Sequence, residues 1–407
     1  VIKSEDLIMF AENTIEKYAD VLLWALGTAR KEPFKKDDIV MIRYDLPAVR
    51  LTEILQGKLL DRRINPVLRT GMTPVMERNF YKRAREKQLV FQPPGEKEFC
   101  DGLNGAVYLH APESLTHLAD VNLGKIGKTA VARKPLRDIL DKREERGRFG
   151  WTLSLFPTQE LAKHAGLSVE HFERQVIKAC YLDSENPVKE WKEIHRRAKA
   201  IKAWLNRLEP KTLHIESKRM DLEITPGERR RWVGMTGHNI PSFEIFLSPD
   251  WRGTQGVYFA DQPSFRNGNL VQGVTLHFQN GSVVNAQAER GEAFLRKQLR
   301  MDPGACRVGE FSLTDKRFSR IEHFMANTLY DENYGGPYGN CHLAVGSSYS
   351  ETYDGDSSRL TRKIKDRLGL NDSALHWDLV NTEDKRVTAF LASGKEMVLY
   401  EKGEFAI

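Results

Sequence analysis

The chain has 407 residues, 40% of them apolar, with 30 glycines and 17 prolines; it is long enough for two or three packed domains and is neither collagen-like nor disordered. Its 62 basic and 56 acidic side chains leave a net charge of +6, too small and too evenly interleaved to point to nucleic acid. The four cysteines, Cys100, Cys180, Cys306 and Cys341, form no CxxC pair, which argues against a zinc ribbon and a disulfide framework.

No apolar run approaches the roughly 18 residues needed to cross a bilayer, and Val1–Asp6 lacks a signal-peptide core. The expectation is a reduced, cytoplasmic protein without a membrane segment. Ile8, Ala11, Ile15, Tyr18 and Leu22 recur at helical spacing, with Ser4, Glu5 and Asp6 as a cap and dipole partners. Ile39–Ile42 reads as a buried strand, 47–60 as a helix and Ile64–Leu68 as a strand, which together make a βαβ unit. Thr73-Pro74 then opens a helix expected to run to Gln88. Ala106–Leu109 and Trp151–Phe156 read as further strands, with helices predicted at 135–148, 158–165, 168–182 and 187–207.

Beyond residue 210 the pattern changes. Leu213–Glu216 and Met220–Ile224 alternate apolar and polar side chains with period two. Asn280-Gly281, between apolar-rich runs, marks a type I′ hairpin, and 386–400 reads as a second hairpin around Ser393-Gly394-Lys395. Helices are expected near 289–300 and 317–328. The predicted fold is an α/β N-terminal domain, an open and largely parallel sheet with helices, over 1–209. An α+β domain rich in antiparallel strands follows over 210–407. The first half carries neither GxGxxG nor GxxxxGK[ST].

The chemistry-bearing residues lie in the second half. His376 and Asp378 flank Trp377; in a strand, residues i and i+2 share a face, so imidazole and carboxylate would stand side by side. Glu244 lies among Phe243, Ile245 and Phe246, where a carboxylate needs a cation or several donors. Glu310 follows Gly309, which permits a close backbone approach. His342 follows the glycine-rich loop 335–339. Taken singly, each of these is most simply a solvated or structural residue.

Together and in order they resemble peptidase family M29, dinuclear metallo-exopeptidases. The matching blocks are N-x-P-x-x-E-[IV]-F at 239–246, R-[IV]-G-E at 307–310, D-E-N at 331–333, C-H-x-A-x-G-x-x-Y at 341–349 and H-x-D at 376–378. Glu16–Ala19, Trp151–Thr158 and Arg230-Arg231-Trp232 extend the likeness over most of the chain. The resemblance implies an aminopeptidase acting on peptides with a free N-terminus, a homodimer, and metal ligands at Glu244, Glu310, His342, Tyr349, His376 and Asp378. Two features depart from the family pattern. Phe243 stands where glycine is common, which would narrow the substrate pocket, and the link 334–340 looks longer than usual.

Six oxygen and nitrogen ligands without a thiolate suit Zn, Co or Mn. They are too many for one catalytic zinc and fit two divalent ions about 3.5–4 Å apart. Glu310 is the expected bridge, with Asp378 shared or adjacent. Tyr349 is read either as a ligand or as support for the tetrahedral oxyanion. Glu332 is a candidate for proton transfer or for support behind the ligands, although Asp-Glu-Asn also suits a capped turn. The rival readings are a related mononuclear iron ring-cleaving dioxygenase and a non-catalytic binding protein on the same scaffold. Nucleic-acid binding would rest on Arg229–Arg231, His195–Arg197 and Arg143–Arg148, which read better as solvated faces.

Overall fold

The computed structural model describes residues 11–407. The expected cap at Ser4–Asp6 and the apolar Ile8 lie outside the described residues. The chain divides into two compact units, the first running to Glu193 with Thr236–Pro241 added, the second comprising Ile194–Met235 and Ser242–Ile407.

In the first unit five parallel strands lie in the order Asn65–Thr70, Ile39–Tyr44, Gly105–His110, Gly150–Leu155, Asn239–Ile240. The helix Glu12–Ala29 buries Ile15, Tyr18, Leu22 and Leu26 at the spacing that the sequence shows. Its Tyr18 hydroxyl donates to the Leu155 carbonyl at 2.7 Å and is bonded to Ser154 Oγ. Ser154 Oγ in turn donates to the Ile240 carbonyl at 2.6 Å, so a chain of hydroxyls joins the helix to the last two strands.

Three predicted helices differ from those observed. The one opened by Thr73 stops at Arg83, where Ala84 is extended, and a separate turn covers Glu86–Leu89. The helix expected from Pro135 starts at Leu123, capped by Asn122 accepting from Gly124 N, and carries Pro135 inside it. Proline leaves one carbonyl of the preceding turn without its donor. Val131, one turn back, is 61% exposed, so water can reach that carbonyl. No helix occupies 317–327; only Thr328–Asp331 is helical there. The Asp331 carboxylate accepts from Met325 N at 2.7 Å and Asn327 N at 2.9 Å, taking amide groups that a helix would have used. The short helix Glu96–Gly102 is an element that periodicity does not reveal.

The second unit holds two antiparallel sheets. The larger runs Ser264–Arg266, Asn269–Gln279, Asp250–Ala260, Asp221–Thr225, Pro210–Ser217, Lys385–Leu391, Glu396–Glu401, Glu404–Phe405, with Ser282–Arg290 paired to Asn269–Gln279. Asn280 and Gly281 have φ of 50° and 76°, as the expected I′ hairpin requires. The smaller sheet has the order His376–Asn381, Asn340–Gly346, Val308–Thr314, Glu244–Leu247. Tyr258 Oη donates to the Leu379 carbonyl at 2.6 Å and Asn381 Nδ2 to the Phe259 carbonyl at 2.9 Å, tying the two sheets together. The architecture is thus a parallel α/β layer in the N-terminal part and antiparallel sheets in the C-terminal part.

Candidate metal centre

The smaller sheet is almost wholly interior: every residue of Glu244–Leu247, Val308–Thr314 and Asn340–Gly346 is buried. Cross-strand neighbours share a face. Ala344 pairs with Glu310 on one side and Asp378 on the other, and Gly346 pairs with His376. Small side chains at 344 and 346 leave room on that face for the longer polar ones beside them. The glycine before Glu310 has the role expected of it. A Cβ at Gly309 would stand 2.3 Å from the Ser347 carbonyl oxygen, so only glycine lets the two backbones meet there.

Five of the predicted residues converge. His342 Nε2 lies 2.9 Å from Glu310 Oε1, 3.5 Å from Glu244 Oε2 and 3.9 Å from Asp378 Oδ1. His376 Nε2 lies 3.2 Å from Asp378 Oδ1 and 3.8 Å from Glu310 Oε2. Glu310 therefore offers one oxygen to each imidazole. His376 Nδ1 is 2.8 Å from the Ser347 carbonyl; as the donor it turns Nε2 toward the carboxylates, where a proton or a metal ion would lie between them. Trp377 is buried on the opposite side and donates from Nε1 to Ser264 Oγ at 2.9 Å.

Tyr349 borders this group. Its ring packs edge-on against His376 with centroids 4.8 Å apart and lies 5.7 Å from Phe246. Its amide donates to Ser248 Oγ at 2.9 Å, and 43% of the residue stays exposed, so it stands at the open side. Glu332, the residue after the turn Thr328–Asp331, is buried. Its carboxylate makes no hydrogen bond among the described residues, yet its charge is felt together with those of Glu244, Asp378 and Glu310.

The electrostatics show strong negative crowding. Burial pushes Glu244 up to about 8, against the opposing charge of His342 and with help from those of Glu310 and Asp378. Burial, followed by Glu244, Asp378 and Glu310, pushes Glu332 well above the carboxylate range. Burial alone would lower His342, but Glu310, Glu244 and Asp378 raise it to about 9, and Asp378 with Glu310 does the same for His376. Asp378 moves down: burial opposes ionisation there, and His376, His342 and Arg266 outweigh it. Four carboxylates around two imidazoles make a cluster that a divalent cation would relieve. The donors are all oxygen or imidazole nitrogen, the set that zinc, cobalt or manganese accepts. Glu244, Glu310 and His342 offer atoms within 4.8 Å of one another, close enough to share one ion.

Behind the cluster stand two residues of the D-E-N block to which the sequence assigns no role. Asn333 Oδ1 accepts from Phe243 N at 2.5 Å while its Nδ2 donates to the Leu329 carbonyl at 2.9 Å, fixing the backbone that delivers Glu244. The D-E-N block thus contains two positioning groups, Asp331 and Asn333, around Glu332. Phe243 is itself fully buried, so it packs into the interior and lines no open pocket. In the link 334–340, Asn340 Nδ2 donates to the Tyr334 carbonyl at 2.7 Å, and Tyr400 Oη donates to the Thr314 and Tyr338 carbonyls at 2.7 and 3.3 Å.

A family model described as thermophilic metalloprotease (M29) matches residues 11–405. The chain belongs to the M29 family. Among similar M29 proteins, aminopeptidase T of Thermus thermophilus is 30% identical over 275 residues, and aminopeptidase AmpS of Bacillus subtilis 29% identical over 269. Each match covers 63% of this chain and 63% of the relative, so the shared part falls short of two thirds of those proteins. The solved structure of wild-type AmpT from Thermus thermophilus superposes with a TM-score of 0.78 over 98% of this chain and 100% of that one, at 22% identity, which fixes the shared fold. None of these similarities favours the dioxygenase or the non-catalytic alternative. No helix among the described residues is long and apolar enough to cross a membrane.

Proposed function

We propose that this M29 chain is a metal-dependent aminopeptidase that removes N-terminal residues from peptides at a dinuclear centre in the domain 210–407. The observation that carries the proposal is the convergence of Glu244, Glu310, His342, His376 and Asp378 on one face of a buried four-stranded sheet. Glu244 and His342 would hold one ion, His376 and Asp378 the other, with Glu310 between them. When bound, two divalent cations supply a polarised carbonyl and a water acidic enough to deprotonate near neutral pH.

The remaining work falls to the chain. The Ser347 carbonyl holds the His376 ring in one tautomer, so that Nε2 faces inward. The Tyr349 hydroxyl, buried where it feels the charges of Glu310, Asp378, Glu244 and Glu332, would either join the ligands or donate to the developing oxyanion. Glu332 brings to the cluster a carboxyl group with no hydrogen-bond partner among the described residues, and it would carry a proton to the leaving amine or support the ligands. One metal ion, or a nearby acid that the ions leave free, would take the substrate's free α-amine, which would account for action at a free N-terminus. Zinc, cobalt or manganese as the metal, and a cytoplasmic homodimer, complete the reading on the strength of the family resemblance.

Chelation tests it. Metal-free protein is expected to lose hydrolysis of an aminoacyl-anilide and to regain it on adding Co or Zn. Full activity in protein shown to be metal-free would end the proposal.

A further inference from the structure

Arg266 is a cation beside the cluster that the reading above does not use. It ends the strand Ser264–Arg266, which turns through Asn267-Gly268 (φ 48° and 75°) into Asn269–Gln279. This two-residue hairpin fixes the residue's backbone. The His376 strand is an edge strand of the ligand sheet. Along that edge, Arg266 Nη1 donates to the His376 carbonyl at 2.9 Å, and Cζ lies 5.5 Å from the Trp377 ring centroid. Asp378 and Arg266 feel each other's charge.

The guanidinium is held by one corner only. Nη1 is engaged, whereas the buried Nε has no hydrogen-bond partner, and Nη2 makes no hydrogen bond among the described residues. Nε and Nη2 form the side-on fork that matches the two oxygens of a carboxylate or a single carbonyl oxygen. A buried donor edge without an acceptor is costly unless a ligand completes it. The sign of the charges sets the ligand's direction. Two divalent cations would cancel most of the cluster's negative charge while Arg266 keeps its own beside Asp378, so the carboxylate end of a peptide held at the cluster is drawn toward the guanidinium.

We propose that the free Nε/Nη2 edge of Arg266 binds the C-terminal carboxylate of a dipeptide substrate, and in longer peptides the carbonyl that follows the cleaved bond. This makes Arg266 a specificity residue favouring short peptides, and it rests on the aminopeptidase reading. A charge-assisted pair of this kind is worth about ten- to a hundredfold in affinity.

The test uses a non-cleavable ligand as well as substrates. Metal-loaded full-length protein is titrated calorimetrically with a dipeptide whose scissile amide is reduced to CH2–NH, bearing either a carboxylate or a carboxamide C-terminus. The wild type should bind the carboxylate form at least about tenfold more tightly. Arg266→Gln should abolish that preference, and Arg266→Lys, which keeps the charge without the fork, should restore part of it. In hydrolysis, Arg266→Gln should lower kcat/KM for the dipeptide by about ten- to a hundredfold while an aminoacyl-anilide, which has no carboxylate to anchor, changes less than about threefold. Equal losses on both substrates, reduced metal content in both variants, or no carboxylate preference in the wild type would overturn the anchor. A carboxylate preference lost in Arg266→Gln, in a protein that hydrolyses neither substrate, would uphold the anchor and sink the peptidase reading instead.

Discussion

Beside the parallel sheet of the first unit, one buried ion pair cancels its charge where it arises. Arg30 and Asp38 are both nearly inaccessible; Nη1 and Oδ2 meet at 2.6 Å, and the guanidinium also lies over the Phe34 ring. On the four-stranded sheet of the second unit, Glu244, Glu310 and Asp378 share two imidazoles, and the buried carboxylate of Glu332, which feels their charge, has no hydrogen-bond partner among the described residues. A scaffold neutralises its buried ions because an unpaired one costs several kcal/mol. A binding site leaves charge uncancelled, and the ligand completes it. The contrast separates structure from function without any motif, and substitutions on each side can break it.

The largest effect is expected at Glu310. Replacing it with Ala should bring metal content below two ions per chain by elemental analysis and cut anilide hydrolysis by about 10⁴-fold or more, roughly 5.5 kcal/mol of barrier. A variant that keeps two ions and near-normal activity would remove Glu310 from the bridging position. On the scaffold side, Arg30→Ala leaves Asp38 without its partner and should cost about 3–5 kcal/mol of stability in chemical denaturation. Below its unfolding range the same variant should keep its kcat and metal content. A loss of metal there would show that the two regions are not separate in the way the charges imply.

Much of this arrangement is legible in the sequence because local chemistry decides it. Thr158 caps its helix through its own hydroxyl, Asn280-Gly281 supplies two positive φ values, and His376 and Asp378 share a face because a strand has period two. What escapes local reading is decided by distant partners. Pro135 looks like a helix start, yet the helix begins at Asn122. The span 317–328 has helical spacing, but Asp331 takes two of its amides. In Asp-Glu-Asn the chemistry-bearing glutamate stands out, whereas the role of Asn333 depends on Phe243, ninety residues earlier in the chain. Arg266 gives no signal at all, since only the folded edge sets it beside His376.

Asn333 sharpens the comparison from within the site. Asn333→Ala removes the acceptor of the Phe243 amide and should cost about 1–3 kcal/mol in stability. Because that amide adjoins Glu244, metal affinity should also weaken about ten- to a hundredfold, as seen when the support behind a ligand is lost. Competition with a chelator reads this directly. Lost stability with unchanged metal affinity would assign Asn333 to the fold alone.

The smallest effect tests whether the first unit is as neutral inside as Arg30 and Asp38 make it. Glu173, on the helix Val169–Ala179, is 8% exposed; burial and, less strongly, the charge of Glu170 push it up to about 7. Below about pH 4.5 both the folded and the unfolded chain hold its proton, so the site adds no pH dependence. Between about 4.5 and 7 the unfolded chain releases the proton while the folded chain keeps it, so stability falls as pH rises, and above 7 the whole penalty is present. Glu173→Gln removes the titration. Its unfolding free energy relative to wild type should therefore rise from pH 5 to pH 8, by about 1 kcal/mol and at most about 3. A difference that stays constant across that range would mean that the carboxylate reaches water. The scaffold would then hold no uncancelled charge at this position, and the contrast with the metal-binding face would be sharper still.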